Sequence, residues 1–181
     1  MTLSTYKEAL DRYGSRSAVM QQVRDGKLIR LQRNLYSTDP YTDTLIQVMK
    51  LYPQGILTGH TAFYIHGLTE RIPTRIDLAT RRNSTRINNP EVKQHFIAVE
   101  RFDIGATMID HDGVQVRIFN LEMMLFYLVH RDGMLPFDLY KEVMKGYRKR
   151  TSELDYRKLQ EYAAILPGGR RNLERIIKEV L

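Results

Sequence analysis

The sequence predicts an α+β protein in two parts. A small segment over 1–38 reads as a winged helix-turn-helix, and 40–181 reads as a mixed α/β domain with a short β-sheet and several C-terminal helices. Three observations predict this. Residues 5–36 read as helix, tight turn, helix and hairpin. Residues 75–119 hold short apolar runs bounded by turn signals, the pattern of strands. From Asn120 onward apolar residues recur at helical spacing.

The first helix starts at a capping box. Thr5 and Glu8 are spaced so that hydroxyl and carboxylate each satisfy a free backbone N–H. Tyr6, Ala9, Leu10 and Tyr13 follow at helical intervals. Gly14 supplies a left-handed stop, and Ser15 caps the next helix. On that second helix Val19 and Val23, flanked by Ala18 and Met20, form the apolar side, while Ser17, Gln21 and Arg24 gather opposite. Asp25-Gly26 closes it. From Lys27 to Tyr36 apolar and basic residues alternate, with a turn near Asn34. Two helices followed by such a hairpin make a helix-turn-helix with a wing, an arrangement that binds DNA. Gln pairs bidentately with adenine, Arg with guanine or a phosphate, and Ser with either. Arg16, Ser17, Gln21, Arg24, Lys27, Arg30 and Arg33 are therefore the candidate contacts to double-stranded DNA. The same residues also fit a solvated amphipathic helix followed by an ordinary hairpin.

Ser37-Thr38-Asp39-Pro40 marks the boundary. Asp39 is read as a cap and Pro40 as the first residue of a helix holding Leu45, Val48, Met49 and Leu51. A short helix through Ala62, Phe63, Ile65 and His66 stops at Gly67. Strands are expected at Arg75–Thr80, Phe96–Val99, Ala106–Asp110 and Val114–Phe119, the last two joined by His111-Asp112-Gly113. Helices are expected from Asn120 through Val129, from Pro136 through Tyr147, over Asp155–Leu166 and over Asn172–Val180, with Pro167-Gly168-Gly169 as a break.

The chain of 181 residues carries a formal net charge of +7, which favours polyanionic partners or an acidic protein. Residues 1–38 hold seven basic side chains against three acidic ones, a surplus of four. Cysteine is absent, which excludes disulfides, thiolate catalysis and Cys-based zinc sites. No signal-peptide core is read at the N-terminus. The longest apolar run, Met123 to Val129, falls short of the ~20 residues that span a bilayer. A cytoplasmic location and no membrane partner are expected.

Several residues invite a chemical reading. His60 and His66 bracket an apolar helix, but their spacing does not bring them side by side as a helical zinc pair requires. Asp110-His111-Asp112 is acidic enough for a metal, yet it lies at a turn where Asp and Gly serve conformation. Asp77, then Glu91-Val92-Lys93, imitates the Asp…Glu-x-Lys spacing of metal-dependent nucleases, in which two carboxylates hold the metal and a lysine polarises water. Glu91 follows Asn88-Asn89-Pro90 and so reads as the start of a strand rather than its centre. No P-loop, GxSxG, HExxH or GxGxxG occurs.

Ser15-Arg16-Ser17, Val23-Arg24-Asp25-Gly26-Lys27-Leu28-Ile29-Arg30-Leu31 and Arg33-Asn34-Leu35-Tyr36 together resemble the winged-helix start of AbiEi-type antitoxins. Ile56-Leu57-Thr58-Gly59-His60-Thr61-Ala62, with His66-Gly67-Leu68 after it, resembles the start of that family's antitoxin domain. The strand at 75–80, the hairpin into Val116–Phe119 and the helix after Asn120 extend the resemblance over almost the whole chain. It implies a bacterial, cytoplasmic, two-domain protein that is not an enzyme and needs no cofactor or metal. The N-terminal domain would bind repeats in its own promoter. The second would counteract a nucleotidyltransferase-like toxin in an abortive-infection system of phage defence. A toxin with acidic metal ligands would present negative charge, so Arg81, Arg82 and Arg86, with Arg148, Lys149 and Arg150, are the candidate toxin contacts. Members usually carry a further helix before the helix-turn-helix. Here only Met1 to Ser4 precede it, so a minimal DNA-binding domain is expected. Asn34 stands where the family prefers glycine, a change that positive φ tolerates. The competing readings are a stand-alone DNA-binding transcriptional regulator with a ligand- or partner-sensing domain, and the metal-dependent nuclease.

Overall fold

A computed structural model describes residues 3–130 and 135–181. The fold is α+β, in two compact units, Met1–Gln54 and Gly55–Leu181.

The first unit runs β1 (Leu3–Thr5), α1 (Tyr6–Tyr13), α2 (Arg16–Arg24), β2 (Ile29–Gln32), β3 (Leu35–Ser37) and α3 (Thr44–Leu51). The capping box forms: the Thr5 amide donates to Glu8 Oε2 at 2.8 Å, and the Glu8 amide donates to Thr5 Oγ1 at 3.3 Å. Gly14, at φ 82°, ends α1, and Ser15 Oγ accepts the Ala18 amide at 3.1 Å to open α2. The strands form an antiparallel sheet in the order β1-β3-β2. The β2–β3 pairing shifts between Arg30 and Gln32, which leaves Leu31 as the extra residue of a bulge. Asn34 turns the hairpin at φ 65°, and its carbonyl accepts the Tyr6 amide at 3.0 Å, tying the hairpin tip to the start of α1. Ala9, Val19, Leu28 and Tyr36 form a buried cluster, with Tyr6, Leu10, Tyr13, Met20 and Val23 packed around it.

Two features depart from the sequence reading. Leu3–Thr5 is a strand paired with β3, where the sequence showed only a short lead-in. The helix expected from Asp39 and Pro40 begins instead at Thr44. Asp43 caps it by accepting the amides of Leu45 and Ile46 at 2.8 and 3.1 Å. Asp39 takes the Tyr41 amide, two residues on, at 2.9 Å, so its carboxylate is spent on a local turn. The resulting α3 lies within the first compact unit, which extends past 1–38 to Gln54.

The second unit is built on a five-stranded mixed sheet in the order β6-β5-β4-β8-β7. Its elements are β4 (Ile56–Leu57), α4 (Gly59–Ile65), β5 (Ile76–Arg81), β6 (Val92–Ile97), β7 (Ala106–His111), β8 (Val114–Phe119), α5 (Leu121–His130), α6 (Phe137–Lys149), α7 (Tyr156–Ile165) and α8 (Gly169–Glu179). The short β4 is the central strand, antiparallel to β5 and parallel to β8. β5 and β6 run parallel, with Asp77 opposite Lys93 and Ala79 opposite His95. Asp112 and Gly113, at φ 51° and 78°, make the β7–β8 turn that their residue types demand. Asn120 Oδ1 accepts the Met123 amide at 2.9 Å, as its capping position requires.

β6 lies earlier than Phe96–Val99, and Val99 instead opens a single 3-10 turn. α8 begins at Gly169 rather than Asn172. Gly168 makes the left-handed turn at φ 66°, and Gly169 can then start the helix against α7: a Cβ there would lie 2.4 Å from the Ala163 carbonyl oxygen. No described helix is long and apolar enough to cross a membrane.

Candidate nucleic-acid interface

The apolar residues of α2 fix which side of it meets solvent. Val19 is fully buried and Ala18, Met20 and Val23 are partly so, which leaves Ser17, Gln21 and Arg24 exposed at i, i+4 and i+7. Arg16, Lys27, Arg30 and Arg33 are exposed as well. Among the described residues none of Arg16, Arg24, Lys27, Arg30 and Arg33 forms an ion pair. Two of the three acids of the same segment, Glu8 and Asp25, are more committed. Glu8 is held by the α1 cap and by Lys50 Nζ at 2.7 Å. Asp25 Oδ1 accepts Gln21 Nε2 at 2.7 Å. Ser17 Oγ lies 3.0 Å from Ser15 Oγ. Two of the three candidate base-reading side chains therefore have neighbours in the chain that a base edge would have to displace or share.

The candidate partner residues of the second unit divide into two groups. Arg81 is not in a loop but ends β5. Its Nη2 and that of Arg117 grip Asp103 at 2.9 and 2.8 Å, and its guanidinium lies 4.5 Å from the centre of the Phe102 ring. Hydrogen bonds from Arg117 and then Arg81 hold the Asp103 carboxyl below its ordinary range. Arg148 Nε donates to the Glu179 carbonyl at 2.7 Å. Arg150 makes a two-pronged pair with Glu153, at 2.7 and 2.6 Å, and donates through Nη1 to the His66 carbonyl. That pair lowers the Glu153 carboxyl and raises the Arg150 guanidinium. Arg82, Arg86 and Lys149 are exposed and form no ion pair among the described residues. The loop carrying Arg82 and Arg86 is anchored by Gln94, which donates to the Thr85 carbonyl at 3.2 Å and accepts the Ile87 amide at 2.8 Å.

The histidines and acids that suggested metals serve the fold. His60 Nε2 donates to the Arg71 carbonyl at 2.8 Å and His66 Nε2 to that of Phe119 at 2.7 Å. Burial also pushes the His66 imidazole below its ordinary range. Asp110 Oδ1 accepts the Gly113 amide at 3.0 Å, a turn-forming contact. Asp77, buried at 4 % exposure, accepts His95 Nε2 at 2.6 Å, with Lys93 Nζ 3.6 Å from the same oxygen. A histidine N–H thus occupies the carboxylate oxygen to which the nuclease reading assigns a metal, with the Lys93 ammonium nearby. Glu91 sits one residue ahead of β6, and its amide donates to Asn89 Oδ1 at 3.0 Å. Among the described residues no group of three His, Cys, Asp or Glu side chains converges.

Sequence reasoning missed the Asp77–His95 pair. The i+18 spacing carries no signal by itself; only the parallel β5–β6 register brings the two together. It also missed Glu122, a buried carboxylate in α5 that accepts the Asp155 amide at 2.8 Å. Comparison with protein-family models gives no match for the chain, and comparison with curated proteins gives none either.

Proposed function

We propose that the protein binds double-stranded DNA through its first unit, with α2 in the major groove and the β2–β3 hairpin on the phosphates. In this reading the chain is the antitoxin of a bacterial toxin–antitoxin system. It represses its own promoter, while residues 55–181 counteract a nucleotidyltransferase-like toxin. One observation carries the DNA-binding part. The sheet order β1-β3-β2 sets a hairpin beside a helix pair, and Arg16, Arg24, Lys27, Arg30 and Arg33 are exposed there and form no ion pair among the described residues. Such cations release counterions when they meet phosphate, which is the main source of sequence-independent affinity. Ser17, Gln21 and Arg24 then supply hydrogen-bonding groups suited to base edges. The antitoxin part rests on the sequence resemblance alone.

Mobility shift of DNA from upstream of the gene, at two salt concentrations, tests the first part. Binding that weakens with salt is expected. Absence of a shift at low salt with folded protein would remove DNA from the reading. Co-expression with the product of an adjacent nucleotidyltransferase-like gene tests the second part. Rescue of growth is expected.

A further inference from the structure

Between the start of α4, the edge of β5–β6 and the start of α6 lies a cavity of about 250 Å³, whose charged lining is Arg71, Arg75, Asp77 and Lys93. Three of these residues carry a positive charge and one a negative charge. The carboxylate, Asp77, is the buried one, and its Oδ1 is already engaged by His95 Nε2 at 2.6 Å. The cations are less committed. Arg75 is exposed and forms no ion pair among the described residues. Arg71 gives Nε to Glu142 Oε2 at 2.9 Å, which leaves its Nη groups for another acceptor. Lys93 Nζ stands 3.6 Å from Asp77 Oδ1, beyond hydrogen-bond range, and its side chain is 53 % exposed. With Glu142 counted beside Arg71, one net positive charge remains around the cavity. Pro73, Leu135, Pro136 and Leu139 supply an apolar wall next to these donors.

We propose that this cavity, with Arg71, Arg75 and Lys93 arranged around Asp77, binds a small phosphate monoester. Arg75 and the free end of Arg71 present forked N–H donors suited to the oxygens of a phosphate, and Lys93 adds a point charge. Asp77 also lines the cavity, but its Oδ1 is held by His95 Nε2 and lies 3.6 Å from Lys93 Nζ, so the arginines and Lys93 are the groups that meet the phosphate. The volume lies below the roughly 300–1,000 Å³ of drug-sized ligand pockets, so the organic group is sugar-sized. The apolar wall packs against its carbon atoms. Every residue involved belongs to the second unit, so the inference does not depend on DNA binding by the first.

Titration calorimetry on the full chain with ribose 5-phosphate, inorganic phosphate and ribose provides the test. Saturable binding of ribose 5-phosphate is expected, with weaker binding of inorganic phosphate and none of ribose. Arg75→Ala and Lys93→Met should each weaken it roughly tenfold or more, the loss of one charged hydrogen bond. Arg82→Ala and Lys149→Ala, which remove exposed cations elsewhere, should leave it unchanged. Among the described residues the Arg75 side chain forms no ion pair, and circular dichroism of that variant should show an intact fold. The proposal is overturned by no saturable binding of ribose 5-phosphate at millimolar concentration, by equal binding of ribose, or by Arg82→Ala weakening binding as much as Arg75→Ala.

Discussion

Lys50 Nζ lies 2.7 Å from Glu8 Oε1, while Glu8 Oε2 accepts the Thr5 amide at 2.8 Å. One carboxylate therefore caps α1 and ties α3 to it. Hydrogen bonds from Lys50 and then from the Thr5 amide hold the Glu8 carboxyl below its ordinary value of 4.5. A carboxyl lowered in the folded state stabilises fully above its unfolded value, and that contribution is lost as pH falls through the folded one. The full chain should lose more thermal stability than Glu8→Gln does between about pH 7 and about pH 3. An equal loss in both would show that Glu8 carries no pH-dependent stability. At neutral pH Thr5→Ala should cost about 1 kcal/mol as a lost cap. Lys50→Ala should cost roughly 0.2–1 kcal/mol, because both partners are substantially solvated.

Gln21 and Asp25 share a hydrogen bond of 2.7 Å on the side of α2 proposed to meet DNA. Gln21→Ala should relax base preference by about 1–3 kcal/mol if Gln21 pairs bidentately with a base. Asp25→Asn should tighten binding to all sequences, because it removes a carboxylate from the approach to phosphate. Arg30→Ala should weaken binding to all sequences alike. Affinities on operator and scrambled DNA separate these outcomes. A Gln21→Ala variant that keeps its sequence preference would place base reading elsewhere.

The division at Gln54 and Gly55 gives the cut for separating activities. A chain of residues 55–181 should fold, lose repression and still rescue cells from the toxin. A repression reporter and a growth assay read the two. Loss of rescue in folded 55–181 would mean that neutralisation requires the first unit.

Charge reversal should behave differently at residues that looked alike in sequence. Arg82→Glu, Arg86→Glu and Lys149→Glu should weaken rescue with little effect on the melting temperature, since their side chains are exposed and form no ion pair among the described residues. Arg81→Glu and Arg150→Glu should lower the melting temperature, because each places a carboxylate against Asp103 or Glu153. Wild-type rescue by the first set, at matched expression, would remove that surface from the toxin-binding site.

Gly59 opens α4 at φ 54°, and a Cβ there would come 2.9 Å from Asp77 Cγ. Gly59→Ala should cost about 1–3 kcal/mol from backbone strain alone. The crowding of a buried carboxylate adds to that, and thermal unfolding of the full chain measures the sum. A neutral substitution would mean that β5 yields at Asp77.

The first unit was legible because its signals are local. Thr5, Glu8, Gly14, Ser15 and Asn34 each act within a few residues, and each takes the role its chemistry suggests. The strand at Leu3–Thr5 was not legible, since three residues show no period and their partner lies on β3. The same limit hid β4, two residues long yet central to its sheet. The sequence reading puts the cap at Asp39 and passes over Asp43, because only the position of the following amides distinguishes two aspartates four residues apart. Among the charged candidates, composition showed a basic stretch at Arg81–Arg86 but not that Asp103, many residues on, holds its first member.

The paired glycines between α7 and α8 answer to unrelated demands. Gly168 needs a positive φ and has open space where a side chain would go, so among homologues asparagine or aspartate can take its place. Gly169 needs the absence of any carbon at all, because what it faces is the backbone oxygen of Ala163, which no rotamer change can move aside. Divergence of this sequence over time would therefore erode the first glycine and retain the second. Position 169 is the one at which descendants with the same helical hairpin have no choice.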